Sequence, residues 1–237
     1  KARLEDVCFF WEEDQKQRLD DRISSLKRVV FQKGLGTLYE KLERIEALSV
    51  YLIDHLNYQS ESEAVLRTAR LCKSDLVCSL VIELPKLQGV MGKIYALKMG
   101  EEASVAKGIE EHYMPRHSQD TLPTTQSGIV VGLADKMDTI VSCFYNNLIP
   151  TGSQDPWGIR RAVYGILSIV YHTGLPLSIF RLIDRAYDAF GSAPNREGLI
   201  HFVEQRMKTF MTDLGVSYDS ARSEEHTSEL QSPDHLV

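Results

Sequence analysis

Seven histidines are the first residues to weigh for metal or acid–base chemistry. His112 and His117 are five apart with Pro115 between them, a spacing that does not set two imidazoles on one helical face. Both read as solvent-exposed loop histidines. His55 follows Asp54 near a helix end, where the dipole favours a cation without any metal. His172 and His201 have no carboxylate–histidine partner nearby in sequence. The metalloprotease, nucleophile-elbow and P-loop motifs are missing, and Gly34/Gly36 and Gly89/Gly92 are too short a glycine pattern for a phosphate loop. Two groupings carry more. Asp135 and Asp138 share a helical face on either side of Lys136, inside an otherwise apolar run. They read as a salt-bridged helix edge or as a polar site at a groove. In Asp155-Pro156-Trp157-Gly158-Ile159-Arg160-Arg161, two arginines fall in the first turns of a helix, where the dipole disfavours cations. Such arginines call for a partner, either an internal carboxylate or a phosphate.

The elements that position these residues are helices. Leu19, Ile23, Leu26 and Val30 recur at three- and four-residue steps, as do Leu38, Leu42, Ile45, Leu48 and Leu52. Ser60 followed by Glu63 suggests a capping box, opening a helix through Leu66 and Ala69 that Pro85 ends or kinks. Further helices are expected over 103–114, 128–147, from Asp155 to about Tyr171, over 177–190 and over 196–214. Asp155 reads as a cap with Pro156 at the first helical position. Residues 115–125 and 149–156 are loops. With no convincing alternating strand, the expected class is all-α.

Composition bounds the function. Hydrophobic residues are 43% and charged residues 25% of 237, an ordinary globular mixture. No apolar run approaches the roughly 18 residues of a membrane span. Cys8, Cys72, Cys78 and Cys143 lack C-x-x-C spacing and read as reduced, mostly buried thiols. A net charge of −6 argues against a generic polyanion binder, although local basic patches can exist. Half of that charge sits in residues 222–237, where one arginine faces four acids. The opening Lys1-Ala2-Arg3 has neither Met nor an apolar signal core, which suggests a fragment.

Seven ordered blocks, at 9–14, 30–41, 72–77, 87–92, 111–116, 134–139 and 149–161, resemble the beta subunit of the bacterial two-chain glycyl-tRNA synthetase. They include Phe9-Phe10-Trp11-Glu12-Glu13-Asp14, Glu111-His112-Tyr113-Met114-Pro115-Arg116 and Ala134-Asp135-Lys136-Met137-Asp138-Thr139. The resemblance covers about residues 2–215. It implies an interior segment of a longer chain, with a helical lead-in at 1–30, an HD-like helical domain at 31–175 and a following helical segment at 176–221. It also implies a cytoplasmic ligase of two alpha and two beta chains that attaches glycine to tRNA(Gly), with ATP and Mg used through the alpha subunit. This segment would then hold no cofactor, no metal and no catalytic residue, and would serve tRNA positioning and assembly.

HD-type phosphohydrolases hold metals with a histidine, a His-Asp doublet and a later aspartate. Here the doublet falls near Lys73-Ser74-Asp75 and the later aspartate at Asp135, and no histidine is followed by aspartate. A lysine ammonium repels a dication. The expectation is therefore a degenerate HD-like fold; the alternatives are an active phosphohydrolase or a purely structural module. Arg116, Arg160 and Arg161, in or beside the two loops, together with Lys136 on the helix edge, are the candidate tRNA contacts. The run at 222–232 matches an in-frame translation of a short-read sequencing adapter, so 222–237 is expected to be an artefact without structure.

Overall fold

The three- and four-residue apolar spacing becomes α-helix in full over Leu38–Leu52. The Leu19–Val30 stripe yields only a short α-helix and a 3₁₀ stretch with Val30 exposed, and the helix expected to reach Pro85 ends at Leu71. The computed structural model describes residues 2–31, 34–149 and 155–215, so the adapter-like run lies outside the described residues. Among them the chain is all-α, with no strand beyond an isolated antiparallel bridge between Val30 and Thr37. The helices are α1 (Ala2–Asp14), α2 (Leu19–Arg22), α3 (Leu38–His55), α4 (Ser62–Leu71), α5 (Ser79–Glu83) and α6 (Val90–Lys98). They continue with α7 (Ala103–Glu111), α8 (Gln126–Tyr145), α9 (Ile159–Thr173), α10 (Ile179–Asp188) and α11 (Arg196–Asp213). Two compact units result, the first ending at Asn195 and the second beginning at Arg196. Residues 30 and 31, and 175 and 176, lie together within the first unit. The described part of the second unit is essentially α11.

The first unit is built around α8. Ser127 to Asp138 are buried without a break, so this helix is covered on every side. It packs against α3, α4, α7, α9 and α10. Two glycines allow close approach. A Cβ on Gly132 of α8 would stand 3.1 Å from the His112 carbonyl oxygen, and one on Gly165 of α9 would stand 2.8 Å from Lys136 Cε. Neither position has room for a side chain without displacing its neighbour.

Two cap expectations change. Ser60 does not open α4; residues 59–61 form a 3₁₀ turn, and Glu61 precedes the helix with no side-chain cap. The capping box is at α3 instead, where the Glu40 N–H donates to Thr37 Oγ1 at 3.2 Å and the Thr37 N–H donates to Glu40 Oε2 at 2.6 Å. Asp155 does serve α9, but from upstream of a Gly158 N-cap, and Pro156 lies before the helix. Its carboxylate accepts the N–H groups of Ile159 at 2.8 Å and Arg160 at 3.0 Å.

Asp14 ties the N-terminal helix to the rest of the first unit. Its carboxylate accepts the N–H groups of Ser79 and Leu80 at 2.8 and 2.9 Å, at the start of α5, and the Tyr95 hydroxyl at 2.9 Å. Arg22 donates to its carbonyl at 2.8 Å. Trp11 stacks on Tyr95 with ring centroids 5.4 Å apart. Because Asp14 is 1% exposed, truncation strands several buried donors at once. Asp14→Ala should lower the unfolding free energy by about 3 kcal/mol in urea titrations, whereas exposed Glu12→Ala should stay within about 0.5 kcal/mol of the parent.

Candidate functional site

The titratable residues of interest converge on α8 from three directions. Asp135 and Asp138 lie three residues apart on α8. Lys41 and Arg44, also three apart, come from α3. Lys73 follows α4 by two residues, and His112 follows the last residue of α7. Each arrives where a helix stripe or a helix end meets the central helix.

Lys41 uses its three N–H groups on the Asp138 carboxylate at 2.9 Å, Thr139 Oγ1 at 2.8 Å and the Asp135 carbonyl at 3.3 Å. It also stands 2.9 Å from Asp135 Oδ1, a charge contact without hydrogen-bond alignment. Arg44 Nε donates to Asp138 Oδ1 at 2.5 Å and its terminal nitrogen to Oδ2 at 3.3 Å, a two-point grip on one carboxylate. Lys73 Nζ donates to Asp135 Oδ2 at 2.7 Å and meets His112 Nε2 at 2.9 Å. An ammonium has only donors, so Nε2 is the acceptor. The proton of this neutral imidazole is then on Nδ1, which donates to the Ile109 carbonyl at 2.7 Å.

Burial and neighbouring charge set the protonation states. Burial disfavours the Asp135 carboxylate, yet Lys41 and Lys73 hold its pKa well below the ordinary range. Burial first, and then the Lys73 ammonium, keep His112 well below its usual value. The cluster is therefore two carboxylates, two ammoniums, a guanidinium and a neutral imidazole, with each carboxylate met by two cations and one positive charge in excess.

Lys136 is on another side of α8. It is 8% exposed, not at the polar helix edge expected from sequence. Its ammonium donates to the carbonyls of His112 at 3.0 Å and Met114 at 2.8 Å, just past the C-terminus of α7, where the dipole favours a cation. Burial pushes its pKa down to about 8. With its ammonium turned inward, Lys136 leaves the candidate basic patch.

His112 is the main correction. Expected as an exposed loop residue, it is fully buried and part of the cluster, whereas His117 is exposed. The same cluster shows Asp135 and Asp138 salt-bridged, as the first of the two readings expects, but in the interior and not along an exposed helix edge; Asp138 is 1% exposed. Lys41 carries its signal in the sequence. It lies three residues after Leu38 and four before Ile45, on the buried stripe of α3, and so required a buried acid.

The three arginines are near the surface. Arg116 and Arg161 are exposed and Arg160 is half-buried. A Cβ on Gly165 would stand 3.6 Å from Pro115 Cδ, beside Arg116. Arg161 is four residues before Gly165, so it shares that face of α9 about 6 Å along the axis. Residues 150–154 of the second loop lie outside the described residues.

Asp75 of the doublet region points elsewhere. Its Oδ2 accepts the N–H groups of Gly89 at 2.6 Å and Gly92 at 3.2 Å, at the start of α6, and its buried Oδ1 has no hydrogen-bond partner. The residues do not fit a transition metal. The place between His112 Nε2 and the Asp135 carboxylate is filled by the Lys73 ammonium, and a second ammonium contacts the same carboxylate. No group of three or more potential metal-binding side chains occurs among the described residues.

Burial raises the Asp75 carboxyl from 3.8 to about 6, against the opposing pull of the Gly89 N–H and Lys73. The folded protein holds this proton more tightly than the unfolded chain. The group therefore costs stability as pH rises from about 4 to about 6, and the cost stands in full at pH 7. Asp75→Asn keeps an acceptor for Gly89 and removes the charge. It should raise the unfolding free energy at pH 7 by on the order of 2 kcal/mol relative to the parent, with the difference vanishing near pH 4. Urea unfolding of both proteins at the two pH values checks it; an equal difference at both contradicts it.

Comparison with known proteins accords with the block pattern in the sequence. Residues 1–224 match the family described as glycyl-tRNA synthetase beta subunit. A glycine–tRNA ligase beta subunit of Trichlorobacter lovleyi is 47% identical over 83% of this chain and 28% of its own length. Proteins of the same name from Moorella thermoacetica and Desulforapulum autotrophicum are 40% and 39% identical, over 92% and 100% of this chain and 33% and 35% of their own lengths. The chain thus spans about a third of the length of these relatives, and it belongs to the glycyl-tRNA synthetase beta subunit family.

Proposed function

We propose that this chain is the segment of a glycine–tRNA ligase beta subunit that supports ATP-dependent attachment of glycine to tRNA(Gly) by positioning the tRNA and by subunit assembly. In this reading the bond-making step, with its ATP and Mg, belongs to the alpha subunit. The working assembly is a cytoplasmic enzyme of two alpha and two beta chains. The helical domain is a degenerate HD-like fold that keeps the architecture and not the phosphohydrolase chemistry.

One observation carries the reading: exposed Arg116 sits beside Pro115, against the face of α9 that also bears exposed Arg161. Two guanidiniums near one surface in an acidic chain suit a phosphate backbone, which needs charge and bidentate donors and no base-specific geometry. The Asp155 carboxylate accepts the backbone N–H groups at the start of α9, so any phosphate contact there belongs to arginine side chains and not to the helix end. Arg160, half-buried in the same turn, supports the arrangement. The phosphohydrolase alternative finds no support in a cluster whose His112 and Asp135 are both engaged by Lys73.

Arg116→Gln and Arg161→Gln in the complete two-chain enzyme should each raise the tRNA KM by about threefold to tenfold and reduce the salt dependence of binding by roughly one counterion. Glycine and ATP kinetics and the unfolding midpoint should be unchanged. Unaltered tRNA kinetics in both variants, with a lowered midpoint, would make this face scaffold and favour the purely structural module.

A further inference from the structure

The interior cluster contains a geometry that no positioning role requires. His112 Nε2 and Asp135 Oδ2 converge on one point, at 2.9 and 2.7 Å from the Lys73 nitrogen. A neutral imidazole nitrogen and a carboxylate oxygen are the donors that borderline divalent metals take. The His112 ring is held by its other nitrogen, which donates to the Ile109 carbonyl at 2.7 Å. That is the outer support a metal-ligating histidine uses to fix its tautomer and aim its lone pair. His112 is fully buried and Asp135 is 9% exposed. The two groups form a buried pair of acceptors, and the Lys73 ammonium sits between them at hydrogen-bond distance.

We propose that the Lys73 ammonium is a built-in substitute for a metal ion, closing a two-ligand site formed by His112 and Asp135 and making this interior independent of divalent cations. Two features exclude a metal from the parent protein. The ammonium occupies the position, and Lys41, 2.9 Å from the other oxygen of Asp135, adds a second positive charge. Substituting residue 73 removes the first obstacle and one unit of positive charge. Lys73→His does more, because an imidazole is shorter than a lysine side chain by roughly one metal–nitrogen bond, about 2 Å. The introduced nitrogen would fall short of the ammonium position by the distance at which it becomes a third ligand. Lys41 would still hold Asp135 Oδ1, leaving Oδ2 free to coordinate. The inference does not depend on RNA binding, since its readouts are metal content and unfolding.

The test uses the complete two-chain enzyme carrying Lys73→His in the beta subunit, beside the parent and the Lys73→His/His112→Ala double variant. Each is loaded with Zn or Co, dialysed and analysed for metal per beta chain. The expected result is about one additional equivalent in Lys73→His over the parent, lost again in the double variant. Its unfolding midpoint should rise with metal and fall with chelator, while the parent responds to neither. Should Lys73→His fail to fold without metal, recovery of the folded signal on metal addition during refolding, for it or for Lys73→Ala, supports the proposal equally. A folded Lys73→His with no extra metal, an unfolded Lys73→His with no metal-dependent refolding of it or of Lys73→Ala, or a stoichiometric metal on the parent His112 would overturn it.

Discussion

Two carboxylates on a helix covered on every side set the terms for the first unit. Asp138 is 1% and Asp135 9% exposed on α8, and an isolated buried carboxylate costs several kcal/mol. Their charge must be matched from neighbouring elements, and this fixes which elements those are. α3 supplies Lys41 and Arg44, and the turn after α4 supplies Lys73. His112 closes the arrangement from the end of α7. Apolar packing alone would allow α8 to rotate or slide against these neighbours. The hydrogen-bonded charges hold α8 in this register, because a rotation or slide would break the contacts of Lys41, Arg44 and Lys73 together.

The same constraint explains how an interior lysine comes to support the surface. Lys136 ties α8 to the carbonyls of His112 and Met114, and Gly165 lets α9 close over its stem beside Pro115. The backbone leading into Arg116 and the α9 face bearing Arg161 are therefore set by the central helix. Exposed arginines on rigid backbone lose less freedom on meeting a phosphate than arginines on a mobile loop. The interior chemistry is spent on position, and the arginines inherit that position.

Much of the fold was legible because it depends on local periodicity. The stripe of α3 and the apolar run of α8 appear in sequence, and the ends of α8 and α9 fall within a few residues of expectation. Asp155 was legible as a cap, although the helix opens later than Pro156 suggested. The cluster was only half legible. Asp135 and Asp138 stood out against an apolar run, but their partners are more than sixty residues away or come from a turn after a helix. His112 looked exposed because it precedes a proline-containing loop. Its burial depends on the approach of α8 at Gly132, which no local pattern reports. Lys41 was within reach, since a charge on an apolar stripe implies a buried counter-charge.

The pairing of Lys73 with Asp135 is where the structural and chemical accounts meet, and a double-mutant cycle measures it directly. Lys73→Met, Asp135→Leu and the double variant would be compared with the parent by equilibrium unfolding in urea. Asp135→Leu leaves the buried Lys73 ammonium without a carboxylate, and Lys73→Met leaves Asp135 Oδ2 without its donor and only Lys41 beside the other oxygen, whereas the double variant removes both charges together. The account predicts that the double variant is more stable than the sum of the single losses by about 2–3 kcal/mol. Additivity within about 0.5 kcal/mol would show that the two charges do not depend on each other and would contradict it.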